Sequence, residues 1–129
     1  MATYIDTNVV LRLLLNDDPA QRSKGLRALE SATTGSVAVL DTVLVEVVFQ
    51  LESPRSYGIE RDDHLPHLVA LLQAECFVLQ TMTWKALELL AENPKLDYTD
   101  CLLIAYARAE TTDSVLSFDR ELNRIAENN

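Results

Sequence analysis

The chain of 129 residues carries a formal charge of −9, and 48% of its residues are hydrophobic. A chain of this length and composition is expected to bury one core without disulfides or a structural metal, so we predict a single domain over residues 1–129. The acidic balance excludes a protein that holds nucleic acid by a broad basic surface, because neutralisation of phosphates by Lys and Arg supplies most non-specific affinity. If the substrate is a nucleic acid, bound cations or a few local basic side chains must attract it.

Short strand-like segments alternate with helical patterns along the chain. The predicted strands are residues 2–5, 36–40, 77–80 and 114–117. The predicted helices are residues 8–15, 20–31, 42–52, 60–74, 83–92, 100–109 and 120–126. This alternation predicts an α/β fold in which a mostly parallel sheet is covered by helices on both faces.

The cysteines and the N-terminal residues indicate in which cellular compartment the protein is expected. Cys76 and Cys101 lie far apart without a Cys-x-x-Cys spacing, so we expect two reduced, buried thiols. The N-terminus has no basic leader, and Asp6 and Arg12 interrupt the apolar run that follows it. We therefore expect a cytoplasmic protein that does not associate with membranes.

Two aspartates, Asp6 and Asp119, each follow a predicted strand and open a predicted helix. The ligand crevice of an open α/β sheet lies at the carboxyl ends of its strands, so this position favours two carboxylates directed into one crevice. Helix capping explains the same position, because an Asp side chain accepts a hydrogen bond from the first turn. Taken singly, capping is the more economical explanation for each.

A third acid, Glu46, lies in the run Val-Leu-Val-Glu-Val-Val-Phe over residues 43–49. This composition leaves no polar helix face on which the charge could meet water, so we expect Glu46 to be buried. Burial of a lone carboxylate requires a positive partner, a metal ion or a proton. A salt bridge to an arginine and coordination of a metal explain it equally well.

Asp97 and Asp100 have the spacing of a helix N-cap and its N3 acid, so capping explains both. That explanation is stronger for Asp97. Asp100 shares a helical face with Leu103, Ile104 and Ala107, so we expect its side chain to point inward with them. Asp100 is therefore favoured as the functional acid, and Asp97 remains an alternative ligand.

Several acids directed into one crevice raise one another's pKa values unless a cation lies among them. Ligation by oxygen atoms alone suits Mg²⁺ or Mn²⁺, and such ions activate water and stabilise charge on a phosphodiester. The residues therefore predict an acidic metal site in an α/β domain, formed by Asp6, Glu46, Asp100 and Asp119.

The acidic segments, taken together, resemble PIN domains and especially the VapC-type toxins. The matching segments are Tyr-Ile-Asp-Thr-Asn over residues 4–8, Glu46 in its apolar helix, Asp-Tyr-Thr-Asp over residues 97–100 and Ser-Phe-Asp over residues 117–119. The resemblance covers nearly the whole chain. It implies a Mg²⁺- or Mn²⁺-dependent endoribonuclease of type II toxin–antitoxin systems, built as a three-layer α/β fold with four or five strands.

By the same resemblance, the catalytic and metal-binding acids are Asp6, Glu46, Asp100 and Asp119, with Asn8 and Ser117 as nearby polar support. The family further implies a homodimer, an RNA substrate and a small VapB-like antitoxin. Such an antitoxin masks the site, often by placing a basic side chain among the acids. A PIN-fold processing nuclease without an antitoxin, or a catalytically silent binding module, is the alternative.

Other side chains allow two explanations each. Arg120 and Arg124 follow Asp119 on one helix and could hold a substrate phosphate, although ion pairs with Glu121 or Glu127 explain them equally well. The spacing of His64 and His67 permits zinc binding, but Pro66 between them favours a solvated surface. A solvated helix face is favoured for the basic cluster of Arg22, Lys24 and Arg27, and Trp84 is expected in the core.

Two other classes of protein place acids around Mg²⁺ in an α/β fold. Phosphatases of the haloacid dehalogenase type need a second Asp two residues after the first, and this chain has Asn8 at that position. Response-regulator receivers need paired early acids and a Lys after a late strand, and neither feature is found.

Overall fold

A computed structural model describes residues 2–110 and 112–127 of the chain. The chain divides into two compact units, Met1–Gln80 and Thr81–Asn129. The first unit contains β1 (Thr3–Tyr4), α1 (Thr7–Leu14), α2 (Pro19–Glu30), β2 (Val37–Val39), α3 (Asp41–Glu52), α4 (Arg61–Leu72) and β3 (Phe77–Leu79). The second contains α5 (Thr83–Glu92), α6 (Tyr98–Ala109) and α7 (Arg120–Glu127).

The first unit is built on a parallel sheet in the order β1-β2-β3. Thr3 pairs with Val37, and Val37 in turn pairs with Phe77, so the three strands start at the same level. Parallel neighbours require a crossover, which α1 and α2 supply between β1 and β2, and α3 and α4 between β2 and β3. The carboxyl ends of all three strands therefore lie at one edge of the sheet.

The core of the first unit follows the helical period. In α3 the buried side chains are Leu44, Val47, Val48 and Leu51, which recur at the spacing of one helix face. In α1 they are Val10, Leu11 and Leu13. The helix predicted for residues 42–52 is confirmed.

The second unit is held by packing of α5 against α6, with α7 also against α6. The apolar face of α5 is buried through Ala86, Leu87 and Leu90, and that of α6 through Cys101 and Ile104. Cys76 and Cys101 are both buried thiols outside any disulfide, as predicted. Trp84 is 43% exposed, so its predicted core position is wrong.

All seven predicted helices and the first three strands are confirmed, with bounds that differ by two residues or fewer. The predicted fourth strand, residues 114–117, is wrong: among the described residues the sheet has three strands rather than four or five. The segment alternates exposed and half-buried residues as a strand would. A strand also requires a hydrogen-bonded partner strand, and the described residues of the second unit form no strand.

A partly buried cluster of Glu52, Arg61 and His64 joins the end of α3 to the start of α4. The carboxylate of Glu52 accepts two hydrogen bonds from Arg61, at 2.9 and 2.8 Å, and lies 2.7 Å from Nε2 of His64. His64 is only 4% exposed, so the predicted solvated position of this histidine is wrong, whereas His67 is exposed. Burial raises the pKa of Glu52, but the hydrogen bonds and charges of Arg61 and His64 outweigh it, and the net pKa is lowered.

No helix among the described residues is long and apolar enough to cross a membrane.

Candidate metal centre

Asp6 stands where β1 ends and α1 begins. Ile5, the preceding residue, donates its backbone N–H to Ala38 at 3.1 Å, which fixes the end of the strand against β2. The Oδ1 atom of Asp6 accepts a hydrogen bond from the backbone N–H of Val9 at 3.0 Å, so Asp6 is the N-cap of α1. The side chain is exposed, and capping occupies only one carboxylate oxygen. The cap therefore orients Asp6 without using all of its acceptor capacity.

Glu46 is exposed, which overturns the predicted burial of this side chain. The core face of α3 is set by Leu44, Val47 and Leu51, and a residue at position 46 falls on the opposite side of the helix. Apolar neighbours such as Phe49, which is 64% exposed, also lie in solvent. The Oε1 atom of Glu46 accepts a hydrogen bond from Nε2 of Gln50 at 2.8 Å, so its orientation is set by a neighbour one turn away.

Asp97 and Asp100 form a reciprocal capping box at the start of α6. The backbone N–H of Asp100 donates to Oδ1 of Asp97 at 2.8 Å, and the backbone N–H of Asp97 donates to Oδ2 of Asp100 at 3.3 Å. The predicted N-cap and N3 roles are confirmed. The inward stripe predicted for Asp100 is only partly correct, because Ile104 is buried but Leu103 is 47% exposed and Asp100 itself is half-buried.

Asp119 caps α7 in the way Asp6 caps α1. Its Oδ1 atom accepts a hydrogen bond from the backbone N–H of Leu122 at 2.8 Å. Its own backbone N–H donates to Oγ of Ser117 at 3.0 Å, and the Ser117 carbonyl accepts from Nδ2 of Asn123 at 2.8 Å. Ser117 therefore fixes the backbone that presents Asp119.

Within the second unit, the charges of Asp97 and Asp119 act on Asp100. Burial raises the pKa of Asp100, and the backbone hydrogen bond from Asp97 lowers it. The negative charges of Asp97 and Asp119 raise it further, so the net pKa lies above its usual value of 3.8. Asp100 thus experiences the negative charge of both neighbouring aspartates.

The donor set fits a hard divalent cation. Carboxylate oxygens are the ligands that Mg²⁺ and Mn²⁺ prefer, and repulsion at Asp100 is what a bound cation would relieve. Within neither unit do the described residues bring three or more His, Cys, Asp or Glu side chains into an array that would hold a metal by itself. Asp6 and Glu46 belong to the first unit, and Asp100 and Asp119 to the second.

The two arginines of α7 differ. Nη2 of Arg124 lies 2.6 Å from Oε1 of Glu121, so the ion-pair explanation is confirmed for this residue. This contact lowers the pKa of Glu121 and raises that of Arg124. Arg120 is exposed and follows Asp119 directly.

Sequence reasoning missed a hydrogen-bonded network around Arg12. Nη2 of Arg12 donates to Oη of Tyr57 at 2.6 Å, and Nη1 lies 3.3 Å from Oδ2 of Asp17. Tyr57 in turn donates to the same Asp17 oxygen at 3.1 Å. Arg12 and Asp6 line one groove between α1 and α2. The signal in the sequence is an arginine within the apolar run Val-Val-Leu-Arg-Leu-Leu over residues 9–14, six residues after the first acid.

Comparison with known proteins supports the resemblance at the level of the family. The PIN domain family matches residues 3–128, nearly the whole chain. No curated protein and no solved structure was found to match the chain. The family match agrees with the observed parallel sheet and its crossover helices. The chain therefore belongs to the PIN domain family, a family of metal-dependent nucleases.

Proposed function

We propose that this PIN domain is an endoribonuclease that uses Mg²⁺ or Mn²⁺, and that it is the toxin of a type II toxin–antitoxin pair. The observation that carries the metal-dependent activity is the PIN family match over residues 3–128, and the pKa of Asp100, raised by burial and by the charges of Asp97 and Asp119, supports it. The toxin role rests on the VapC-like motifs of the sequence and on the family match.

Asp6, Glu46, Asp100 and Asp119 are the proposed ligands. Capping leaves an oxygen of Asp6 and of Asp119 available, and the cap hydrogen bonds fix the direction in which each carboxylate points. Asp97 keeps Asp100 oriented through the capping box, so we assign Asp97 a positioning role. When bound, the ion supplies an activated water and stabilises charge on the phosphodiester.

The remaining side chains act on the substrate or on the acids. Ser117 positions Asp119 by accepting its backbone N–H, and Asn8 lies beside Asp6 in the groove of the first unit. Arg120 is exposed next to Asp119 and is the proposed phosphate ligand of α7. Arg124 is engaged by Glu121 and is a weaker candidate.

Cleavage of structured RNA in the presence of Mn²⁺ tests the activity. EDTA is expected to abolish cleavage because it removes the metal ion. Asp6→Ala and Asp100→Ala are expected to do the same because each removes a carboxylate that would hold the ion. Asp62→Ala is the matched control, since Asp62 is an exposed acid in the first turn of α4. Full activity of both site variants, with folds intact by circular dichroism, would exclude the proposed centre.

The toxin role has its own test. Expression of the chain alone is expected to slow growth, and a small co-purifying VapB-like protein is expected to relieve it by masking the acids. The protein is further proposed to be a homodimer, which light scattering measures. Cleavage activity without a growth defect or a co-purifying partner would instead indicate a processing nuclease.

A further inference from the structure

Helix α2 is positively charged although the chain as a whole is acidic. Helix α2 carries Arg22, Lys24 and Arg27 against the single carboxylate of Glu30, a net of two positive charges in a chain of −9. None of the residues of α2 is buried. The basic side chains of α2 are therefore at least partly accessible to solvent, and the carboxylates of Asp17 and Asp18 stand at the N-terminal end of the helix.

Helices α1 and α2 enclose a groove of about 540 Å³. A Cβ added at Gly25 of α2 would lie 3.2 Å from Cδ2 of Leu13, so the absence of a side chain there allows the two helices to approach closely. The polar residues that line the groove are Asp6, Asn8, Arg12, Gln21 and Lys24. A groove of this size accommodates part of an extended ligand.

The polar lining of the groove has an acid at one end, Asp6, and otherwise consists of amides and cations. Asp6, a proposed metal ligand, begins α1, and Arg12 lies six residues further along it, about 9 Å at the rise of an α-helix. Beyond Asp6 the polar lining consists of the amides of Asn8 and Gln21 and the cations of Arg12 and Lys24, which are donors to phosphate oxygens. A polyanion is therefore repelled at Asp6 unless a metal is bound there, and attracted along the rest of the groove.

The two cations contribute differently. The guanidinium of Arg12 donates a hydrogen bond to Tyr57 and forms an ion pair with Asp17 at 3.3 Å, so its charge is partly neutralised. Lys24 is exposed, and among the described residues no ion pair joins it to a carboxylate. Lys24 is thus the cation of the groove whose charge is available to a ligand.

We propose that the groove between α1 and α2 binds the sugar–phosphate backbone of RNA next to the cleaved bond, with Lys24 as a phosphate contact and Arg12, Asn8 and Gln21 as supporting donors. This inference rests on the proposed ribonuclease function and adds the path by which an acidic protein holds a polyanionic substrate. Contacts of this kind position the backbone and carry no sequence preference.

Salt-dependent binding of a short fluorescein-labelled single-stranded RNA tests the groove, with EDTA present to prevent cleavage. Lys24→Gln is expected to bind more weakly and to lower the slope of log K against log salt by about 0.7, the value of one single-strand phosphate contact. The affinity advantage of the wild type should then shrink about 2.6-fold between 50 and 200 mM salt. In Mn²⁺, the variant should raise KM for RNA and leave kcat within about twofold.

Lys85→Gln is the matched control, because Lys85 is an exposed helical lysine of α5 that does not line the groove. Identical slopes and KM values for the two variants would overturn the inference while leaving the nuclease assignment intact. Loss of all cleavage in the wild type, with the Lys24-dependent slope retained, would contradict the proposed function and not the RNA path. If Lys24→Gln instead released a co-purifying protein and left RNA binding unchanged, the groove would be a protein docking site.

Discussion

Substitution of Asp100 by Asn offers a direct test of the repulsion within the second unit. The pKa of Asp100 lies above 3.8, so the folded protein holds this proton more tightly than the unfolded chain does. The stability that Asp100 contributes is therefore fully present below pH 3.8 and is lost as the pH rises through the raised pKa. Asn retains the acceptor oxygen of the capping box but carries no charge. The Asp100→Asn variant should therefore not lose stability as the pH rises through the pKa of Asp100.

The magnitude is modest because Asp100 is only half-buried. Solvent screening limits the relief of repulsion at a partly exposed carboxylate to about 0.5 kcal/mol, the range measured for exposed charge pairs. Neutralising an acid in a first helical turn also forfeits an attraction to the helix dipole of about 0.3 to 1 kcal/mol. Asp63→Asn, in the first turn of α4, loses that attraction alone and is the matched control.

Thermal melts in EDTA compare the two variants. At pH 7 we expect Asp100→Asn to melt about 2 °C above Asp63→Asn, since roughly 4 °C corresponds to 1 kcal/mol in a protein of this size. The difference should vanish below pH 3.8, where Asp100 is protonated. Saturating Mn²⁺ should reverse the order of the two variants, because a ligand at a hundredfold excess over its Kd stabilises Asp63→Asn, whose metal site is intact, by about 2.7 kcal/mol. A gap that is absent at pH 7, or that persists unchanged at pH 3, would refute the repulsion.

Three further predictions concern the acids next to Asp100 and the cluster of Glu52, Arg61 and His64. Asp119→Asn should lower the pKa of Asp100 in an NMR titration, because the Asp119 charge contributes to raising it; an unchanged pKa would contradict this. Asp97→Asn should retain RNA cleavage within a few fold, whereas Asp97→Ala should lose about 1 kcal/mol of unfolding free energy in denaturant melts, because only Asn preserves the cap. Glu52→Gln should lower the free energy of unfolding by about 1 kcal/mol at pH 7. This loss should become smaller as the pH falls from 4.5 through the lowered pKa of Glu52, because the wild-type carboxylate then becomes protonated. Equal losses at pH 7 and pH 3 would contradict that linkage.

Four of the helices, α1, α2, α6 and α7, begin after an aspartate that caps the first turn, and this signal can be recognised in the sequence. Asp6 and Asp97 have the residue type and spacing of N-caps, and both are caps in the structure. The strand predicted at residues 114–117 had the right alternation, but its pairing depends on a partner that no local pattern specifies.

The error at Glu46 has a different origin. The prediction counted apolar neighbours, whereas the helical period assigns the core to Leu44, Val47, Val48 and Leu51 and places position 46 outside it. Application of the period alone would have given the exposed side chain that is observed. Apolar composition around a charge therefore does not show burial when a helix has more apolar residues than its core face can accommodate.

Capping and metal ligation, weighed as alternatives for Asp6 and Asp119, are compatible roles for one carboxylate. Each side chain uses Oδ1 for a backbone N–H of its own helix, at 3.0 and 2.8 Å, and the second oxygen stays available. The cap removes rotamer freedom before any ion binds, so less conformational entropy is lost on ligation. Glu46 lacks such a restraint, because only the side chain of Gln50 orients it. Of the four proposed ligands, Glu46 is therefore the one whose position depends most on the bound ion.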